Sequence, residues 1–136
     1  MPPKKSTPKT IRITEFTGPN AIEFFIGSNI VGLYAAGLVA PYIVPGTQAW
    51  DLLKEYSPVE PAKALWYITV IAAVTAATHL FEALLFDQLR MRKYGVPRLS
   101  GLWWKWEISC FIEGIGAWKR IGKVIAIKEK QAGGRK

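Results

Sequence analysis

Four polar side chains within the second apolar stretch have the types and spacing to do chemistry: Thr75, Thr78, His79 and Glu82. At about 100° per residue they fall within an arc of about 100°, so a helix would place them on one face. Ionisable side chains are costly in hydrocarbon and normally turn toward protein, water or each other. A histidine and a carboxylate three residues apart could bind a heme iron or a metal, or form an acid and base pair that acts on lipid.

The simpler interpretation of this polar cluster is a clamp that joins two helices by hydrogen bonds near the headgroups of a bilayer. His79 is the sole histidine and Cys110 the sole cysteine, so the sequence lacks the ligand spacing of a zinc site. Glu82 also lies only about one turn from the predicted helix end. The sequence therefore favours the clamp and predicts neither a metal nor another cofactor.

A further carboxylate, Glu23, stands at the start of the first apolar stretch. Asn20 and Glu23 have the spacing of a capping box, in which the Asn20 side chain accepts from the Glu23 amide. With a cytoplasmic N-terminus, both apolar stretches would direct Glu23, His79 and Glu82 toward the same leaflet. Glu23 is thus a candidate second carboxylate for that site, although the capping role is the simpler interpretation.

The elements that must position these residues follow from the distribution of charge. Residues 20–44 contain only Glu23 and residues 64–86 contain only Glu82, whereas the remainder of the chain carries the other charges. A soluble helix presents a charged face, and each of these stretches meets the length of about 20 residues that crosses a bilayer core. We therefore expect an all-α membrane protein whose two transmembrane helices span residues 20–40 and 64–86.

The first of these helices carries small side chains at every fourth position: Ser28, Gly32, Ala36 and Ala40. This spacing places them along one ridge, where the backbone of another helix can approach closely. We call these four residues the small-residue ridge. It predicts a helix-packing face but does not identify the helix that packs there.

A third apolar segment, residues 99–127, is interrupted by charges and is predicted to be either an amphipathic helix or a transmembrane helix. Its basic face comprises Lys105, Lys119, Arg120 and Lys123, which would turn toward anionic lipid or a partner. The net charge is +3 before the first span, −1 between the spans, +3 in the loop after residue 86 and +6 from Lys119 onward. Two crossings put every basic segment on the cytoplasmic side, whereas three crossings would not.

The flanking segments complete the predicted organisation. Residues 1–19 are rich in proline and lysine and are expected to form a flexible basic arm without a signal peptide, and residues 128–136 a basic tail around a helical membrane domain at residues 20–127. Between the spans, Thr47 is predicted to start a short amphipathic helix that ends near Tyr56. The nucleotide-binding loops and the serine nucleophile motif are missing, and charge beside apolar spans argues against nucleic acid as a partner.

The second half of the chain, roughly residues 62–128, resembles the transmembrane protein 254 family, small eukaryotic membrane proteins whose shared domain has no known function. The resemblance rests on these residues: Trp66-Tyr67, His79-x-x-Glu82, Gly95-Val96, Leu102-Trp103-Trp104, Gly114 and Gly116, and a lysine-rich end. Lys105, Glu107 and Glu113 depart from the family's more apolar third segment. The resemblance implies a small membrane protein with several spans and supplies no catalytic residues.

The sequence thus carries more features of interaction than of chemistry. We expect a non-catalytic accessory or assembly subunit of a larger membrane complex, with membrane lipids and other transmembrane subunits as partners. The alternative is a heme- or lipid-handling membrane protein that uses His79 and Glu82. The expected location is an intracellular eukaryotic membrane, first the endoplasmic reticulum and second the mitochondrial inner membrane.

Overall fold

The computed structural model describes residues 11–133 and folds them into five α-helices, which confirms the all-α class. The helices are α1 (Ala21–Val39), α2 (Gln48–Tyr56), α3 (Pro61–Phe86), α4 (Gly101–Glu113) and α5 (Ile115–Gly133). A 3-10 turn, Ala40–Tyr42, follows α1, and a π-helical turn, Asp87–Met91, extends α3. Helices α1 and α3 pack against each other and against α4.

The N-terminus of α1 is the predicted capping box. The Glu23 amide donates to the Asn20 side chain at 2.9 Å, and the Asn20 amide donates to the Glu23 carboxylate at 3.0 Å. The α-helix ends at Val39 and tightens into the 3-10 turn Ala40–Tyr42, in which Ala40 keeps helical dihedral angles and Pro41 has no amide to donate. Local sequence therefore fixes both ends of α1.

The predicted short helix after Thr47 is also present. The Thr47 hydroxyl accepts from the Trp50 amide at 3.3 Å and so caps α2. Helix α3 begins at Pro61, three residues before the predicted start, because proline at the first helical position has no amide that needs a partner. The helical backbone continues through Met91.

The third apolar segment is not one helix, and this part of the prediction is wrong. Gly114, with φ of +55° and ψ of −116°, ends α4, and α5 starts at the next residue. Two contacts of Glu15 show that the chain turns back. The Trp106 indole of α4 donates to the Glu15 carbonyl at 3.2 Å, and the Lys128 ammonium of α5 lies 3.4 Å from the Glu15 carboxylate. One straight helix would separate Trp106 and Lys128 by about 33 Å. Helices α4 and α5 therefore form a hairpin.

The hairpin brings the basic segments of the described chain to one end of the α1 and α3 pair. The Ile13 amide donates to the Tyr94 carbonyl at 3.0 Å, which joins the N-terminal strand of chain to the loop after α3. Lys128 of α5 lies 3.3 Å from the Thr14 hydroxyl at the same end. We call this the basic end. The opposite end carries residues 40–60, which include α2.

The hydrophobic core also lies at the basic end. Its fully buried side chains come from three helices, from the N-terminal segment and from the π-helical turn after α3: Ile13, Phe86, Met91, Trp106, Cys110 and Ile121. Phe16 stacks edge-on against Trp106 at 4.9 Å between ring centroids. The prediction of a free arm at residues 1–19 is therefore wrong for residues 11–19, which complete the core, and residues 1–10 lie outside the described part. Similarly, residues 128–133 of the predicted tail continue α5.

The tightest contact between α1 and α3 lies at Gly37. A methyl group built on Gly37 would stand 2.4 Å from the Ala72 methyl, closer than two carbon atoms can approach. Gly27 makes the corresponding contact with Ile112 of α4, at 3.2 Å. Both glycines are about 140° around α1 from Gly32, so the small-residue ridge lies on the opposite face. Ser28, Gly32 and Ala36 are exposed, and only Ala40 of the ridge is buried.

We expect Gly37→Ala to destabilise the protein by about 1–3 kcal/mol, because the added methyl group forces α1 away from α3. Gly32→Ala is the matched control, since nothing lies within 4 Å of a methyl group at that position. The control should leave stability unchanged or raise it by up to about 1 kcal/mol through helix propensity. Thermal unfolding in detergent measures both. Equal effects of the two variants would show that Gly37 is not a tight contact.

Helices α1 and α3, with the turns that extend them, could each cross a membrane. Residues Ala21–Tyr42 have a mean hydropathy of 1.6 and residues Pro61–Met91 a mean hydropathy of 1.8. Most of their large apolar side chains face outward; Phe25, for example, is 70% exposed and Phe81 is 62% exposed. These two helices are therefore unlike the buried core helix of a soluble protein, which would hide such side chains.

Candidate functional site

His79 lies where three helices meet. Its Nδ1 is 2.9 Å from the Tyr34 hydroxyl of α1 and 2.9 Å from the Phe111 carbonyl of α4. A carbonyl can only accept, so this geometry fits a proton on Nδ1 that is donated toward Phe111. The Phe111 carbonyl belongs to the last turn of α4, where carbonyls have no partner within the helix. His79 therefore caps α4 and ties it to α1 and α3.

The other face of the imidazole meets the turn of the hairpin. A methyl group on Gly114 would lie 3.3 Å from His79 Nε2 and 2.6 Å from the Glu82 carboxylate. Nε2 therefore lies against the hairpin turn, while Nδ1 is already hydrogen-bonded. His79 thus joins α1, α3 and this turn through contacts of the kind that the predicted clamp would make.

The polar cluster predicted on α3 divides into two parts. His79 and Glu82 face the hairpin turn, whereas Thr78 is exposed and its hydroxyl donates to the Val74 carbonyl at 2.9 Å. Thr75 is half-buried. A threonine that bonds back to its own helix satisfies its hydroxyl without a partner, so Thr78 takes no part in the clamp.

Arg120 departs most from its predicted place on a basic face. It is 4% exposed, and its guanidinium binds Glu113 as well as Glu23, the latter at 2.9 Å. It also binds the Ser109 hydroxyl and donates to the Thr17 carbonyl at 3.0 Å. The prediction that Arg120 faces lipid is wrong, because the break at Gly114 turns α5 back and carries this residue into the protein.

The Glu23 carboxylate accepts hydrogen bonds from the Asn20 amide and from the Arg120 guanidinium. The structure brings it together with Glu113 and Arg120, and not into hydrogen-bond contact with His79 or Glu82. Of the predicted basic face, Lys105, Lys119 and Lys123 are exposed. The sequence missed the pairing of Glu113 with Arg120; their opposite charges seven residues apart, on either side of a glycine, were the available signal.

Asp87, at the start of the segment predicted as the basic loop after residue 86, is a second ion-pair centre. It is buried, accepts from Arg98 Nε at 2.9 Å and from the Trp103 indole at 2.8 Å, and forms an ion pair with Arg98. These bonds hold the loop after α3 against the start of α4. The charge-assisted bonds of one carboxylate thus fix the entry of the hairpin.

Glu107 and Cys110 lie on the buried side of α4. Burial, and then the charge of Asp87, raise the pKa of Glu107 to about 7, while Arg98 opposes this shift. One Glu107 carboxylate oxygen is buried without a hydrogen-bond partner among residues 11–133. Burial raises the pKa of the Cys110 thiol to about 12, so it stays protonated and is no nucleophile at neutral pH.

We expect Glu107→Gln to stabilise the protein by about 2 kcal/mol at pH 8 and to have little effect at pH 4.5. Folding raises the pKa of Glu107 from 4.5 to about 7. The free energy of unfolding of the wild-type protein therefore falls as the pH rises from 4.5 to about 7, because the buried carboxyl group loses its proton. The figure allows for partial solvent screening. Glu55→Gln on exposed α2 is the control for a lost surface charge. A stabilisation that is equal at both pH values would contradict the explanation.

No protein-family model, curated protein or solved structure matches this chain. The resemblance to the transmembrane protein 254 family therefore stays a prediction that rests on the residues quoted for it.

Proposed function

We propose that this protein is a non-catalytic accessory or assembly subunit of a larger membrane complex. The observation that carries the proposal is the exposed part of the small-residue ridge, centred on Gly32, which lies about 140° around α1 from the glycines that contact α3 and α4. The basic end is already tied together by buried side chains, whereas this ridge contacts nothing in the described chain at Gly32. Small residues at such a position allow a partner helix to approach closely.

The membrane location is part of this proposal. Exposed apolar side chains cover α1 and α3 along most of their length, and a bilayer would remove them from water. The resemblance to small eukaryotic membrane proteins supports an intracellular membrane, with the endoplasmic reticulum first and the mitochondrial inner membrane second. Chemistry at His79 is less favoured, because its ring is engaged by three helices.

The test is co-purification from native membranes after mild solubilisation. We expect the tagged chain to migrate as part of a larger assembly with a reproducible set of membrane proteins. Gly32→Leu should abolish this association, because it fills the ridge at a position where the first carbon of its side chain meets nothing within 4 Å. Gly122→Leu is the matched control, since nothing lies within 4 Å of a methyl group there either. Migration of the wild-type protein as a lone monomer would contradict the proposal.

The hairpin leads to a prediction about topology. Glu129 of α5 and Lys93 after α3 belong to the basic end, whereas Gln48 of α2 belongs to the opposite end. We expect Glu129→Cys and Lys93→Cys to react with a membrane-impermeant maleimide from one side of sealed vesicles, and Gln48→Cys from the other. The native Cys110 is buried and should not react with the maleimide. Labelling of Glu129→Cys together with Gln48→Cys would mean that the third segment crosses the membrane.

A further inference from the structure

An apolar groove of about 580 Å³ runs along the surface between α1 and α4. Its walls are formed by Phe24, Val31, Trp104, Ile108 and Ile112, and Gly27 lies where the two helices come closest. Val31 is 47% exposed and Ile108 is 52% exposed, so the groove opens sideways from the protein. It is separate from the small-residue ridge except at Ser28, which lies on its rim.

The groove has the length of one leaflet of a bilayer. From Glu23 to Val31 it extends about 12 Å along α1, and from Trp104 to Ile112 it extends about 12 Å along α4, at 1.5 Å per residue. Half of a hydrocarbon core of about 30 Å is about 15 Å. One end lies at the basic end, and the other lies near the turn of the hairpin, at the depth where α4 stops.

Lys105, at the basic end, is the charged lining residue that forms no ion pair within residues 11–133. Lys105 is exposed there beside Trp104, a residue type that favours the level of lipid headgroups. Glu23 and Glu113 also line the groove, but both are paired with Arg120. Lys123 lies close enough to Glu23 to attract it electrostatically. Lys105 is therefore the positive charge that the mouth of the groove offers to a ligand.

We propose that this groove binds one acyl chain of an anionic phospholipid, whose phosphate is held by Lys105. An apolar channel one leaflet long with a cation at its headgroup end has the charge and shape of such a lipid. A transmembrane helix is a poorer occupant, because the exposed Lys105 at the headgroup end matches an anionic lipid better than the apolar face of a helix. The proposal rests on the proposed membrane location but does not need a partner protein.

The test is native mass spectrometry of the full chain, purified in detergent and incubated with phosphatidylglycerol or phosphatidylcholine. We expect one retained lipid and a preference of about fivefold for phosphatidylglycerol, the size expected for one basic side chain near a membrane surface. Val31→Trp should reduce retention of both lipids by about tenfold, because the indole replaces the methylene groups of the chain. Lys105→Gln should remove the preference, because a neutral side chain no longer distinguishes a net negative headgroup from a zwitterionic one.

Two control variants isolate the groove. Leu38→Trp adds an indole at a 75% exposed position of α1 outside the groove and should retain lipid as the wild type does. Lys119→Gln removes an exposed charge of α5 and should keep the preference. Lipid retention by Val31→Trp at the wild-type level would overturn the proposal, as would loss of a partner protein from that variant without loss of lipid. If the wild-type chain instead migrated alone after mild solubilisation of native membranes but still retained lipid, the subunit role would be wrong and the lipid site would stand.

Discussion

Arg120→Met is expected to lower the free energy of unfolding by about 3–5 kcal/mol, one of the two largest effects of a single substitution in this protein. The variant keeps the length and apolar stem of the side chain but leaves Glu113 and Glu23 without their shared cation. Glu113 is only 8% exposed, so water cannot compensate its charge. The loss of stability therefore comes mainly from leaving the carboxylates of Glu113 and Glu23 without a cation, and less from the lost attraction to Arg120.

Thermal or denaturant unfolding in detergent measures this effect. Lys119→Met is the matched control: the neighbouring residue is exposed, and its substitution should change stability by less than about 0.5 kcal/mol. Glu113→Gln and Glu23→Gln, added to Arg120→Met, should recover most of the loss, because no buried charge then remains. Glutamine also preserves the capping box of α1. Equal stability of Arg120→Met and Lys119→Met would show that this ion-pair cluster does not hold the hairpin.

Gly114→Ala is expected to destabilise the protein by about 2–4 kcal/mol. Its φ of +55° and ψ of −116° lie outside the regions that residues with a side chain adopt readily, at a cost of about 1–3 kcal/mol. The new methyl group would also stand 2.6 Å from the Glu82 carboxylate and displace it. Backbone strain and the clash add, because they arise from different atoms.

The two contributions can be separated by adding Glu82→Ala, which removes the clash and leaves the backbone strain. We expect this pair to recover part of the loss seen for Gly114→Ala. Gly122→Ala in α5 is the control, since a methyl group there meets nothing and should stabilise the helix by up to about 1 kcal/mol. If Gly114→Ala behaved like the control, the sharp turn between α4 and α5 would be absent from the protein in solution.

These two sites show where prediction from sequence stops. On one continuous helix, four basic residues would share a face: Lys105, Lys119, Arg120 and Lys123. This arrangement assumes that the helix is unbroken from the first of them to the last. A single change of backbone direction at Gly114 invalidates it, because every residue beyond the turn acquires new neighbours. Gly114, Gly116 and Gly122 all lower the helix propensity of this segment, but the sequence does not indicate which of them breaks the helix.

The small-residue ridge makes the same point for α1. Its spacing suggested a packing face, yet the glycines that contact other helices, Gly27 and Gly37, lie about 140° away from Gly32. An apolar helix with small residues on several faces does not reveal which face meets which neighbour. The face that packs is selected by the surfaces of α3 and α4, and the residues that form those surfaces lie elsewhere in the sequence.

The sequence by itself determined the elements whose causes are local: the apolar stretches of α1 and α3, the caps at Asn20 and Thr47, and the polar pair His79 and Glu82. Only the tertiary structure decided that α5 turns back, that Arg120 is buried between two carboxylates, and that residues 11–19 complete the core. The physical reason is the range of the interactions. Caps and hydrophobic stretches act within a few residues, whereas a buried ion pair or a close helix contact joins residues up to about a hundred positions apart, such as Glu23 and Arg120.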